Sequence, residues 1–531
     1  MWRAGTESDK HAGSWVSPKL RQQRRMHRQP PCFSLVLLPG VVTRRALWYA
    51  PEKIREGIAV AAVLGIDLGL SSVRAAVVDK SGRLLGRGRS ELAPLTGHEG
   101  REERDPDDWT RACTEAVIQA RAESCDQGIE AIGIGGLGPC PVLVDDDNRP
   151  ITTSPLFSLD PRAEEFRLGL IRDHKLPEHE LGPDHVIPRL MQWRMQRPEI
   201  FAKAKRVLDS TGYLVAGLTG RAVMDPITLV DHRCPGLEQP VTLPEICPAD
   251  VIAGHLTPRA AASLAMPAGT PVTVGTYDSY ADILGTGTLR QGDCALLLGT
   301  TMMLGSVGAK ALDPTLPPRS GLRVTPHVGE GPLVGGWTSS AGSLLDWSSS
   351  ILDIADPPLV ETAMPGAAGL IVLPYFAGER APVWDPLARG VILGATLSTT
   401  AEEFKRAMLD GVALSLLDLA HRLFAVNGVP EKVRALGGGL KSSVWSQAAA
   451  DALGVPMEAI DHAGEAIGPV ALAWRAIGQP QKPRVSAVIM PDARRHERYQ
   501  RLAEIYRKLY PALKESMHKL GRLAAETEKA A

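Results

Sequence analysis

A chain of 531 residues is too long for one hydrophobic core and implies two or more domains. Its 59 Lys and Arg against 60 Asp and Glu leave a formal net charge of −1, which excludes the electrostatic footprint of a general nucleic-acid or membrane-surface binder. Hydrophobic content of 44% and charged content of 22% are ordinary for a globular protein, and the seven Cys (Cys32, Cys113, Cys125, Cys140, Cys234, Cys247, Cys294) form no Cys-x-x-Cys and no metal-type spacing, so a reduced, cytoplasmic setting is expected.

Residues 1–59 carry a basic run at Lys19–Arg28, the helix-breaking pair Pro30-Pro31, and an apolar piece, Cys32–Val42, too short to span a bilayer. They read as a disordered basic extension or a misplaced start. A buried-type strand then runs from Val60 through Ile66 and ends at Asp67-Leu68-Gly69-Leu70-Ser71-Ser72. With further strands at Ala75–Val78 and Arg83–Gly88 it forms a hairpin meander. Its first turn can wrap a phosphate with backbone N–H and hydroxyl donors while Asp67 holds a hydrated Mg²⁺.

Glu103–Trp109 opens a helix reaching about Glu123, with Pro106 in its first turn. A strand at Ala131–Ile134 breaks at a glycine turn ending in Leu137-Gly138-Pro139, and Val142–Asp145 reads as another strand. Helical patterns follow after Arg162, over Pro188–Lys205, and over Val207–Leu218, which stops at Thr219-Gly220. Strands alternating with helices, plus short hairpins, predict an α/β fold with mixed sheets.

The stretch Pro271–Leu304 joins the halves. The strand Pro271–Val274 leads to Asp278 and a helix at Ser279–Leu284; the strand Cys294–Leu298 leads to Gly299-Thr300-Thr301. One turn supplies a carboxylate and the other two hydroxyls, which suits a base and a phosphate cradle. Asp278 also fits a helix N-cap, and Asp282, one turn on, reads as structural. Beyond it come strand–helix units, a long helix at Ala401–Val426, and a strand at Val433–Leu436 running into Gly437-Gly438-Gly439-Leu440-Lys441-Ser442. A helix over Ala463–Ala476 and a packing helix over Asp492–Ala525 close the chain.

Three glycine turns after apolar strands suit a nucleotide lying in a cleft, although neither Gly-x-x-x-x-Gly-Lys-Ser/Thr nor an opening Gly-x-Gly-x-x-Gly is present. Gly390-Val-Ile-Leu-Gly394 followed by Glu403-Phe-Lys-Arg-Ala-Met-Leu-Asp410, Leu373-Pro-Tyr-Phe-Ala-Gly-Glu-Arg-Ala-Pro382, and Leu436-Gly-Gly-Gly-Leu-Lys-Ser442 with Trp445, Gln447 and Asp451 resemble signatures of the FGGY carbohydrate kinases. The resemblance spans about Val60 to Tyr510. It implies two actin-like (ribonuclease H-like) domains with the active site in the cleft between them. The boundaries read as 60–292 for sugar binding, 293–485 for nucleotide binding and 486–531 for a helical tail.

It further implies ATP and Mg²⁺ as cofactors and a small sugar as substrate. Asp278 stands at the catalytic base and Asp67 at the metal. Gly69, Ser71, Ser72, Gly299, Thr300 and Thr301 stand around the phosphates, and Gly438, Gly439 and Ser442 flank the adenosine. Two departures stand out: Leu70 where a threonine is usual, and Gly468-Pro469-Val470 where Gly-Ala-Ala is usual. Glu103, Asp160 and Arg162 are the polar candidates for sugar contact. Their alternatives are helix-dipole pairing for Glu103 and a local ion pair between Asp160 and Arg162. Leu137-Gly138-Pro139 replaces the Gln-Met-His of xylulokinases and removes two polar contacts. The expected reaction is phosphorylation of a pentulose such as D-xylulose, with gluconate, another ketose or a polyol as alternatives. A non-catalytic sugar or nucleotide sensor is the contrasting class. No nucleic-acid or membrane partner is expected, and a homodimer stays open.

Overall fold

The computed structural model describes residues 61–93, 102–125, 127–156, 160–176, 180–310, 321–352, 364–366, 369–461 and 466–530; the expected extension at 1–59 lies outside them. Strands β1 (Ala62–Leu68), β2 (Ser72–Asp79) and β3 (Leu84–Glu91) form the antiparallel meander read from the sequence. Helix α1 (Pro106–Glu123) starts where Asp105 accepts the Asp107 N–H and Pro106 occupies the first turn. It returns the chain to β4 (Ile129–Gly136), parallel to β1.

The helix expected over Val207–Leu218 begins later. Arg206–Leu208 is a strand paired with Val142–Val144, and α2 (Ser210–Thr219) starts after Asp209, whose carboxylate accepts the Ser210 N–H. Asp209 is extended, and an N-cap in that conformation stops the helix from growing back into Val207 and Leu208. β5 (Ile252–His255), β6 (Pro271–Thr273) and β7 (Thr276–Tyr277) complete a seven-stranded sheet in the order β5-β6-β4-β1-β2-β3, with β7 beside β4.

Helix α3 (Asp278–Gly285) carries the chain out of this sheet. A second seven-stranded sheet follows, built from β8 (Cys294–Leu298), β9 (Met302–Val307), β10 (Arg323–Thr325), β11 (Leu333–Trp337), β12 (Val433–Leu436), β13 (Met457–Ile460) and β14 (Val485–Ile489). Its order is β10-β11-β9-β8-β12-β13-β14. Helices α4 (Ala401–Asn427), opened by a Thr400–Glu403 capping box, and α5 (Ser443–Leu453) cover it.

Helix α6 (Ile467–Ala476) follows β13 of the second sheet yet packs on the first. Its Val470, Ala473 and Trp474 join Val63, Ala76, Val78 and Ala131 in one core. Glycine permits the approach: a Cβ at Gly133 would lie 1.8 Å from the Pro469 carbonyl oxygen. Helix α7 (Ala493–Ala530) lays Tyr499, Leu502, Ala503 and Tyr506 on the second core, as the pattern of its tyrosines implies. Among the described residues no helix is long and apolar enough to cross a membrane.

Candidate active site

The parallel strands β1, β4, β8 and β12 direct their carboxyl ends toward one cleft of about 450 Å³. Leu70 after β1, Leu137-Gly138-Pro139 after β4, Asp278 after β7, Gly299-Thr300-Thr301 after β8 and Gly437 after β12 all line it. Carboxyl ends of parallel strands are where open α/β sheets place ligands, because the loops leaving them are free to diverge.

Asp278 is the first residue of α3; Tyr277 holds the cap position, so Asp278 is not the N-cap. Its carboxylate accepts the Ser279 N–H at 2.6 Å and stands in the cleft wall. Burial, with the charge of Asp67 adding to it, pushes Asp278 up to about 7. Asp67 is the penultimate residue of β1 and pairs with Arg74, Nη1 to Oδ2 at 3.3 Å. Asp282 is not merely a surface or core residue: it lines the same cleft, and burial and the charges of Asp67 and Asp278 hold it well above the usual carboxylate range. Three carboxyl groups thus share one corner with the Arg74 guanidinium.

Facing them, the Gly299 N–H donates to the Thr301 carbonyl at 3.0 Å and closes the β8–β9 turn. The Thr300 carbonyl accepts the N–H groups of Ala341 and Ser343, which ties this turn to the segment following β11. Gly437 has φ +119, and a Cβ there would lie 2.3 Å from the Leu298 carbonyl oxygen, so only glycine fits. Gly438 faces open space, Gly439 lies under the Trp445 ring, and Ser442 caps α5 by accepting the Trp445 N–H at 3.3 Å. In the β1–β2 turn Leu70 is the cleft-lining member. Gly69 donates to the Ser72 carbonyl, Ser71 is exposed, and the Ser72 hydroxyl is buried in β2 without a hydrogen-bond partner.

Glu103, Asp160 and Arg162 are not among the lining residues. Arg162 pairs with both Glu103 and Asp160, and Arg189 reaches Asp160 Oδ1 at 2.7 Å. Burial works against the Asp160 charge, but its hydrogen bonds with Arg162 and Arg189 prevail and hold it below the usual range. The Asp160 side chain is 0% exposed, so its hydrogen-bonding capacity is spent inside the fold.

The cleft is also lined by Asp184, Asp231, Arg323, Trp337 and Trp384, which no quoted signature contained, and by Arg380, which lies inside one. Arg323 approaches Asp231 at 3.3 Å and lies 5.4 Å from the Trp384 ring centroid. Asp231 is pushed up to about 6 by burial, with Arg323 opposing. Only Arg380 and Trp384 had a visible signal, in or beside Gly378-Glu-Arg-Ala-Pro382. The others come from separate segments that meet only in the fold.

The family profile for the N-terminal domain of the FGGY carbohydrate kinases matches residues 62–230, and that for the C-terminal domain matches 294–477. The chain belongs to the FGGY family of carbohydrate kinases. This FGGY kinase is 27% identical over 488 residues to a xylulose kinase of Escherichia coli strain K12, covering 85% of this chain and 99% of that one. It is 25% identical over 486 residues to a gluconokinase of Bacillus licheniformis, covering 85% and 94%. Among solved structures, a Brucella ovis protein described as a xyloylose kinase superposes with a TM-score of 0.77 at 27% identity, covering 86% of this chain and 99% of that one. A gluconate kinase of Lactobacillus acidophilus gives 0.76 at 23% identity over 87% and 100%, a likeness of fold. The enzyme is a carbohydrate kinase with ATP as co-substrate and the two-domain, actin-like α/β architecture.

Proposed function

We propose that the enzyme transfers the γ-phosphoryl group of ATP to a hydroxyl of a small, open-chain polyhydroxy acceptor, with Asp278 as general base. The observation that carries it is the placement of the Asp278 carboxylate in the same cleft as the Gly299-Thr300-Thr301 turn. Asp278 takes the proton of the acceptor hydroxyl as that oxygen attacks, which needs hydrogen-bond reach and a pKa near the working pH. Thr300, Thr301 and the Gly299 turn hold the phosphate oxygens, with Gly69 and Ser71 opposite. The Gly437–Gly439 turn and Ser442 border the adenosine. Phosphoryl transfer asks for this kind of positioning and charge neutralisation rather than covalent chemistry by the protein.

The donor set fits Mg²⁺. Carboxylate oxygens are its preferred protein ligands, and Asp67 brings one beside Asp278. Mg²⁺ would supply charge neutralisation of the transferring group, and Asp67 is the residue that would hold it.

Among acceptors, a pentulose such as D-xylulose follows from the xylulose kinase relatives, and gluconate from the gluconokinases. Leu137-Gly138-Pro139 presents an apolar wall where polar contacts to a ketose are expected, so the choice falls to the other lining residues. ADP release with Mg²⁺-ATP across pentuloses, hexuloses, aldonates and polyols, beside Asp278→Ala, tests the reading. Turnover of one acceptor, abolished in the variant, supports it. Acceptor binding without turnover in the wild type would instead mark a sensor.

A further inference from the structure

The turn Leu137-Gly138-Pro139 gives the cleft no polar side chain, but the residue packed against it does. Strand β7 runs parallel to β4 with Tyr277 opposite Gly136, which brings the Tyr277 side chain to the turn that follows β4. A Cβ at Gly138 would lie 1.8 Å from Cε1 of the Tyr277 ring, so the ring occupies the space that any larger residue at 138 would need. Tyr277 is 4% exposed and lines the cleft together with Asp278. Neither Tyr277 nor Gly138 belongs to the three signature stretches, so those signatures do not carry this contact.

The Tyr277 hydroxyl is buried and, among the described residues, has no hydrogen-bond partner. Burial, and after it the charges of Asp209, Asp231 and Asp225, hold the phenol well above its ordinary value, so it keeps its proton. All three acids are turned to other donors. Asp209 accepts the backbone N–H groups of Cys140 and Ser210, at 2.9 and 2.8 Å. Asp225 accepts from Ile227, Thr228 and Thr276, and Asp231 accepts from Arg323. The fold thus leaves a protonated phenol in the cleft wall without an acceptor. A buried hydroxyl left unpaired is costly, and an oxygen brought by a ligand removes that cost.

We infer that Tyr277 is an acceptor-contact residue, whose hydroxyl donates a hydrogen bond to an acceptor oxygen in place of the polar side chains missing from Leu137-Gly138-Pro139. The inference rests on the phosphotransferase reading above. The reacting oxygen gives its proton to Asp278 and a lone pair to phosphorus, so a donor on that oxygen would blunt its attack. Tyr277 therefore serves a different oxygen of the same molecule, a hydroxyl or a carbonyl, and makes its presence a condition of good turnover. A phosphate oxygen of ATP could accept the same bond, so the test separates the two.

Tyr277→Phe keeps the ring against Gly138 and removes only the hydroxyl, so it separates contact from packing. The purified full-length enzyme is assayed for ADP release with Mg²⁺-ATP and D-xylulose, D-gluconate or D-glucitol, in the wild type and the variant. The best of the three is then replaced by analogues that each lack one oxygen. On the best acceptor Tyr277→Phe is expected to lose roughly tenfold in kcat/KM, about one hydrogen bond, with KM for ATP held within about threefold. One deoxy analogue should show a similar loss in the wild type and no further loss in the variant, as two groups in contact do. An unchanged kcat/KM overturns the inference. So does a loss of the same size on every deoxy analogue, which marks a structural effect, or a raised KM for ATP with the acceptor KM unmoved, which assigns the hydroxyl to phosphate. Should no acceptor be phosphorylated, the phosphotransferase reading fails separately. Calorimetric binding of the three acceptors to wild type against Tyr277→Phe then still decides the contact: weaker binding by the variant supports it, and equal binding, or none, overturns it.

Discussion

The two sheets repeat one strand pattern and put different chemistry at its end. In each, an antiparallel meander (β1-β2-β3 and β8-β9-β11) is flanked by two parallel strands (β4, β6 and β12, β13) and an antiparallel edge (β5 and β14). The first sheet brings carboxylates to the cleft, Asp278 and Asp282 in its wall and Asp67 of β1 paired with the wall residue Arg74, with apolar Leu70 in its hairpin turn. The second brings backbone N–H groups and hydroxyls at Gly299-Thr300-Thr301 and Gly437, with no acid beside them in the cleft wall. Anions repel phosphate and activate hydroxyls; uncharged donors do the reverse. The shared topology brings both sets of turns to one cleft, while the turn residues decide the chemistry each half presents there.

Replacing the proposed base should separate the halves most strongly. Asp278→Asn is expected to lower kcat by about 10²- to 10⁴-fold, the range for a general base, with KM for ATP little changed in steady-state ADP release. A parallel loss of ATP affinity would show that the carboxylate corner also carries the nucleotide. The pH profile sharpens the same point. In the proposed role Asp278 acts as the carboxylate, and it is pushed up to about 7, so kcat/KM should be full above that pH and fall about tenfold per unit below it. Asp67→Asn removes a charge that raises the Asp278 pKa and should move this limb to lower pH; a profile flat from pH 5.5 to 7.5 would contradict the assignment.

Gly133→Ala tests the seat of α6 on the first sheet, since its methyl would meet the Pro469 carbonyl. It should destabilise by about 1–3 kcal/mol in urea unfolding, as overpacked sites do, and an unchanged midpoint would mean that α6 shifts freely. On the second sheet, Thr300→Val or Thr301→Val should raise KM for ATP roughly tenfold, about one hydrogen bond, and leave the acceptor KM alone. The smallest effect is expected from Leu70→Thr. A hydroxyl in the first turn should lower KM for ATP by less than about threefold if that turn borders the phosphates, and do nothing if the second sheet holds them alone.

Elements with local signals were legible: the meander, Cys294–Leu298, Val433–Leu436 and the capped α4 have strong periods, glycine stops or caps. The cleft residues legible in the sequence were those adjoining such stops: Leu70, Leu137-Gly138-Pro139, Asp278, Gly299-Thr300-Thr301 and Gly437. Val207–Leu208 was misassigned because a short apolar run fits a strand or a helix equally until Asp209 is recognised as a cap. Glu103, Asp160 and Arg162 have the right chemistry for sugar contact, but their side chains meet one another and Arg189, which no spacing reveals.

By itself the sequence determined the alternation of strands and helices, the three glycine turns and the signatures of a carbohydrate kinase, because backbone conformation and hydrophobic period are local properties. Only the tertiary structure decided that α6 leaves the second sheet to lie on the first, that Asp282 faces the cleft beside Asp278, and that Asp184, Asp231, Arg323 and Arg380 meet in its wall. These depend on contacts between segments distant in the chain, 92 residues apart for Arg323 and Asp231, where burial and the charge of a distant neighbour, rather than residue type, set what each side chain can do.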